Sequence, residues 1–185
     1  MVKLDLITKK DDECYTPRYA IIPILKYIPI GSTIWCPFDT KESHFVRLFE
    51  KKGYKVISTH LWDGQDFFTY QPQEKIDYII SNPPYSLKTK VLQRLFALKI
   101  PFAMLIGVVG IFESQDRFSL FASNKFEIMY LNKRIAFFKD FNEQKPSLNP
   151  PFSSVYVCSG ILPQQIVFEI VEKTKEVIVG DSSPT

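Results

Sequence analysis

Short apolar runs alternate with amphipathic stretches along most of the chain. Six runs, at 33–37, 54–60, 77–81, 101–109, 126–131 and 153–159, have strand length and carry many β-branched and aromatic residues. The run at 101–109 is apolar throughout, as a parallel strand buried on both faces requires. Between the runs the period changes to that of a helix. Ile21, Ile24, Leu25 and Ile28 form one face of a helix beginning after Thr16-Pro17, a capping hydroxyl followed by proline at the first helical position. A second helix covers 45–52 and stops at Gly53 after two lysines. A third covers 86–99, with Val91, Leu92, Leu95, Phe96 and Leu98 at helical spacing, and a short one covers 113–123. Strands alternating with helices predict one α/β domain with a mostly parallel sheet, closed by an antiparallel last strand at 153–159. The domain is expected over 14–170, with a flexible arm at 1–13 and a frayed tail at 171–185.

Composition adds limits. A chain of 185 residues, 45% hydrophobic, builds one core of ordinary size. The formal charge of +3 permits a polyanionic partner without arguing for one. Cys14, Cys36 and Cys158 lie far apart, and His44 and His60 have no metal-ligand spacing. No metal site is expected, and the sparse, odd cysteine set suits a reducing cytoplasm. The longest apolar stretch, 102–112, is too short to span a membrane.

The chemistry concentrates where the strand at 77–81 ends, at Asn82-Pro83-Pro84-Tyr85. Prolines cannot continue a central strand, so the chain turns into a loop at the carboxyl end of the sheet, where α/β proteins bind ligands. The Asn82 side chain and the carbonyls of Asn82 and Pro83 are hydrogen-bond acceptors, and proline holds the backbone ones still. Fixed acceptors beside a planar ring suit an exocyclic amino group on a flat base. They take its two N–H bonds, Tyr85 stacks on the ring, and the nitrogen lone pair is left to attack an electrophile. A near-copy, Asn149-Pro150-Pro151-Phe152, does not follow a strand and is read as a decoy, although Phe152 can border the substrate.

An Asn-Pro-Pro-Tyr turn after a strand resembles the catalytic motif of S-adenosylmethionine-dependent N6-adenine DNA methyltransferases, compact members of which are familiar from phages. The resemblance covers roughly 14–160 and implies a Rossmann-like class I methyltransferase fold. It implies catalytic roles for Asn82, Pro83, Pro84 and Tyr85. Tyr15, Thr16 and Pro17 match the family's upstream segment, which contacts the methionine end of S-adenosylmethionine. Pro37 and Phe38 match its first strand-to-helix turn, but the two glycines of that turn are absent. Asp39 and Ser43 stand nearby as side-chain substitutes for contacts to the amino-acid moiety. The position that holds the ribose hydroxyls falls on His60, with Asp63 slightly further on. Asp66 and Phe67 resemble the motif whose carboxylate accepts from the cofactor's adenine and whose aromatic packs on that ring.

The resemblance implies methyl transfer to adenine N6, with nucleic acid, DNA first, as partner. No recognition domain is evident, so sequence specificity is expected to be loose, or to come from a homodimer or from the loop at 133–151. That loop interleaves Lys133, Arg134, Lys139 and Lys145 with Phe137, Phe138 and Phe141, as a flipped or single-stranded base requires. RNA adenine and protein glutamine remain alternative substrates. A non-catalytic module that binds nucleic acid or a partner remains the alternative from another class.

Overall fold

The computed structural model describes residues 15–138 and 152–172. The expected arm at 1–13, the tail beyond 172 and most of the basic loop, including Lys139, Phe141, Lys145 and Asn149 to Pro151, lie outside the described residues.

Among the described residues seven strands and four helices follow in chain order: α1 (Arg18–Leu25), β1 (Thr33–Cys36), α2 (His44–Lys51), β2 (Lys55–Ser58), β3 (Tyr78–Ser81), α3 (Lys88–Leu98), β4 (Phe102–Gly107), α4 (Gln115–Ser123), β5 (Glu127–Leu131), β6 (Ser154–Ser159) and β7 (Ile166–Glu169). All strands join one sheet in the order β2-β1-β3-β4-β6-β5-β7. The strands from β2 to β4 are mutually parallel. The expected antiparallel strand is β6, which pairs antiparallel with both β4 and β5 and so lies inside the sheet. One further strand follows it, β7, parallel to β5 at the edge. Its four residues are partly exposed in alternation, a weak signal at the margin of the core.

Side-chain alternation along the strands builds two apolar layers. Ile34, Cys36, Ile80, Ala103, Leu105, Tyr156 and Cys158 point to one face, where Ile21 and Ile24 of α1 and Phe45 and Phe49 of α2 cover them. Trp35, Ile79, Met104, Ile106, Val155 and Val157 point to the other, under Val91, Leu92 and Leu95 of α3 and Phe121 of α4. Every residue of β4 is buried, which accounts for its unbroken apolar sequence.

The start of α1 differs from expectation. Pro17, not Thr16, is the capping residue, and no side chain caps this end. The Thr16 hydroxyl is instead buried without a hydrogen-bond partner. The Thr16 carbonyl lies 3.1 Å from His44 Nδ1, so the segment before α1 is turned toward the start of α2.

Candidate functional site

In this topology the loops after β1, β2, β3, β4 and β5, and the residues entering β6, meet at one edge of the sheet. The buried polar side chains among the described residues are Thr16, Asp39, Ser43, His44, Thr59, Ser81 and Ser154, and all of them stand at this carboxyl edge. Burying polar groups costs stability unless they are hydrogen-bonded. Their gathering at one edge therefore marks a place kept polar for a reason other than packing. A surface concavity lined in part by Phe96, Lys99, Pro101, Asn124 and Ser159 lies at the opposite edge. It has no buried polar side chain in its lining, and sheets of this kind take ligands at the carboxyl edge.

The centre of the edge is a carboxylate. Asp39, in the loop after β1, is 8% exposed, and Ser81 Oγ at the end of β3 donates to its Oδ2 at 2.5 Å. Burial pushes the Asp39 carboxyl up to about 6, against the hydrogen bonds from Ser81 and Ser43, which favour the charged form. Ser43 also caps α2, its Oγ accepting from the Val46 N–H. One short loop thus joins the ends of β1 and β3 to the start of α2, at the turn where the resembled motif has glycines. The Cys36 thiol beneath it is pushed far up by burial first, then by the charges of Asp39 and Glu50.

Asn82, Pro83, Pro84 and Tyr85 follow Ser81 directly, and a single 3-10 turn at Tyr85–Leu87 carries the chain into α3. The Tyr85 ring meets Phe137 edge-on at 6.2 Å and Phe152 at 5.3 Å, and its hydroxyl lies 3.5 Å from Ser154 Oγ. Phe152, the one described residue of the near-copy motif, therefore stands against the tyrosine of the first. Gly107 makes room for this cluster. A Cβ there would lie 2.9 and 3.0 Å from two Phe152 ring carbons and 3.6 Å from the Tyr85 ring. Gly107→Ala is expected to displace the Phe152 ring and to destabilise the fold by about 1–3 kcal/mol, a loss read from urea unfolding of the two proteins.

Other expected site residues fall around this centre. Tyr15 pairs with Phe138 through backbone hydrogen bonds of 2.8 and 3.2 Å, and their rings stack at 5.6 Å. His44 packs on the same Phe138 ring at 5.5 Å. Tyr15, Thr16 and Pro17 are thus brought beside Ser43 and the segment after β5. Pro37 and Phe38 follow β1 directly, and Phe38 remains partly exposed.

His60 stands beyond β2, its Nδ1 accepting from the Trp62 N–H at 3.2 Å. Burial lowers the His60 pKa, opposed by the Asp63 charge. Trp62, 64% exposed beside the His60 ring, is a large surface that no periodicity marks. Asp66 Oδ1 accepts from the Phe68 N–H at 3.0 Å.

Phe67 lies deeper than its neighbours Asp66 and Phe68. It is 2% exposed and closed in by Trp35 at 5.4 Å, Phe38 at 4.9 Å and the Arg94 guanidinium at 5.4 Å. Its ring is packed within the core, and Phe38 carries the more accessible aromatic face here.

Among the described residues no group of three or more His, Cys, Asp or Glu side chains is placed to hold a metal ion. No described helix is long and apolar enough to cross a membrane.

No family model matches the chain, and no curated protein matches it in sequence. Among solved structures it is similar to a modification subunit of a putative type I restriction enzyme from Vibrio vulnificus YJ016. The TM-score is 0.54 at 10% identity over 82% of this chain. The match spans 45% of that subunit's chain. At this identity the likeness establishes the fold alone: a single mixed seven-stranded α/β sheet of Rossmann-like type.

Proposed function

We propose that the protein transfers a methyl group from S-adenosylmethionine to the N6 amino group of adenine in DNA. The observation that carries this reading is the junction of Asn82-Pro83-Pro84-Tyr85 with the buried Asp39-Ser81-Ser43 cluster at the carboxyl edge of a Rossmann-like sheet.

The residues present fit the cofactor. Its methionine end is a zwitterion, and the edge offers a buried carboxylate, the N-terminus of α2 and an unpartnered hydroxyl on Thr16. Tyr15, Thr16, Pro17, Asp39 and Ser43 would hold that end. His60 and Trp62 would face the ribose and Asp66 the adenine, with Pro37 and Phe38 between them. When bound, S-adenosylmethionine supplies an electrophilic methyl carbon on a sulfonium.

The chain's own work is positioning. Acceptors on Asn82 and Pro83 hold the two amino hydrogens, so the nitrogen lone pair is aimed at the electrophile rather than spread into the ring. Tyr85 stacks on the base, and Phe137 and Phe152 fix the tyrosine ring by edge-type ring contacts. Phe152 extends the aromatic wall that the base enters. In duplex DNA the adenine must leave the stack to reach this loop. The similar solved structure is a restriction-enzyme modification subunit, and this likeness supports DNA as the substrate class.

Incubation with S-adenosylmethionine labelled in the methyl group is expected to label unmethylated DNA above RNA and protein. Label entering RNA or a protein glutamine instead would keep the chemistry and replace the substrate. No transfer to any of the three would remove the enzymatic reading.

A further inference from the structure

The loop after β1 has lost the glycines that let backbone approach a ligand, and it has gained a buried carboxylate. Ser81 is fully buried, ends β3 and stands directly before Asn82, yet its hydroxyl turns away from the apolar layer to Asp39. Two separate elements, β3 through Ser81 and the start of α2 through Ser43, commit buried hydroxyls to holding the one charge that the loop after β1 carries. A carboxylate held in this way and left inside a domain is costly unless a cation meets it. Among the described residues no lysine or arginine forms an ion pair with Asp39. Thr16, on the segment that turns toward the start of α2, is only 6% exposed, and its hydroxyl has no partner.

We infer that Asp39 is the receptor for the ammonium group of the bound amino-acid moiety, and that Ser81 is a positioning residue that holds Asp39 charged and ties that contact to Asn82. This rests on the proposed function and names which chain atoms replace the missing glycine loop. Cofactor binding and the alignment of Asn82 are then linked through a single hydrogen bond. Occupancy by the ammonium fixes Asp39, Asp39 fixes Ser81, and the next residue is the one that holds the target amine.

The charge state supplies a signature. The titratable groups facing Asp39 are the Cys36 thiol from β1 and the Tyr156 phenol from β6, both pushed upward by burial and neutral around pH 6. His44, which follows Ser43 at the start of α2, turns Nδ1 to the Thr16 carbonyl instead. Asp39 itself, with its carboxyl at about 6, is thus the group that changes charge near neutrality. An ammonium binds the ionised form. Affinity should hold above that value and fall about tenfold per pH unit below it.

The test is isothermal titration of S-adenosylmethionine into the full chain between pH 5 and 7.5, for wild type, Ser81→Ala and Asp39→Asn. Removal of the Ser81 hydroxyl takes away a bond that favours the carboxylate, so the midpoint should move up by about half a pH unit or more. In Asp39→Asn binding should be weak and the midpoint absent. Binding that is independent of pH, or that Ser81→Ala weakens equally at every pH, overturns the inference and leaves the enzymatic reading standing. Absence of binding by wild type at every pH overturns both. Should Ser81→Ala fail to fold, persistence of the wild-type midpoint in Asp39→Asn alone overturns the inference.

Discussion

Asp39→Asn is expected to make the protein more stable and to disable it. At pH 8 its thermal midpoint should rise by roughly 4–12 °C, taking about 2–4 °C per kcal/mol for a domain of this size. The sign follows from the carboxyl, which stands at about 6 in the fold against an ordinary 3.8. The fold therefore prefers the neutral form. The penalty is absent below the ordinary value, grows as pH rises from there to about 6, and is complete above it. A displacement of about two units corresponds to about 2–3 kcal/mol at full ionisation. Asparagine removes that penalty, and the Ser81 and Ser43 hydroxyls can rotate to meet either its oxygen or its amide nitrogen. The gain should disappear near pH 4, which separates it from a general packing effect. The same substitution removes the charge offered to the cofactor, and S-adenosylmethionine affinity at pH 7.5 should fall at least about tenfold, the least expected when a hydrogen-bonded charge partner is lost. Stability sacrificed at a site for the sake of a ligand is the pattern this pair of measurements would expose.

Asn82→Ala is expected to have the opposite profile. Asn82 is half-buried at the mouth of the edge, beyond the last residue of β3, so its truncation removes little packing. Cofactor affinity should change by less than about threefold, while kcat should fall by about a hundredfold or more, the usual cost of losing one fixed partner of a reacting group. Equal losses in affinity and in kcat would mean that Asn82 shapes the cofactor site instead. Calorimetry and single-turnover methyl transfer on the same preparations separate the two.

Much of this arrangement is legible in the sequence. The alternation of runs and helical faces carries the α/β class because apolar periodicity follows burial, and β4 is buried on both faces for its whole length. Asn82 to Tyr85 can be placed at the carboxyl edge because two prolines must end a strand. What the sequence hides depends on contacts between distant elements. Ser81 reads as an ordinary strand end, and only the return of the loop after β1 gives its hydroxyl the Asp39 carboxylate. Phe67 has the neighbours of a stacking motif in sequence, but Trp35 and Arg94 close over it from other elements. Phe152 reads as part of a decoy because sheet order, not chain order, sets β6 beside β4 and brings it to Tyr85. β7 leaves only a weak signal because an edge strand of four residues buries too little to impose a strong pattern.

Transfer of a methyl group to one nitrogen is the reaction on which all of this turns. It is tested by mass spectrometry of nucleosides digested from unmethylated DNA after incubation with the protein and methyl-deuterated S-adenosylmethionine. Deuterated N6-methyldeoxyadenosine is expected with wild type, and its loss with Asn82→Ala. Deuterium on another base position, or none on DNA from a wild-type protein that binds the cofactor, would contradict the proposed reaction.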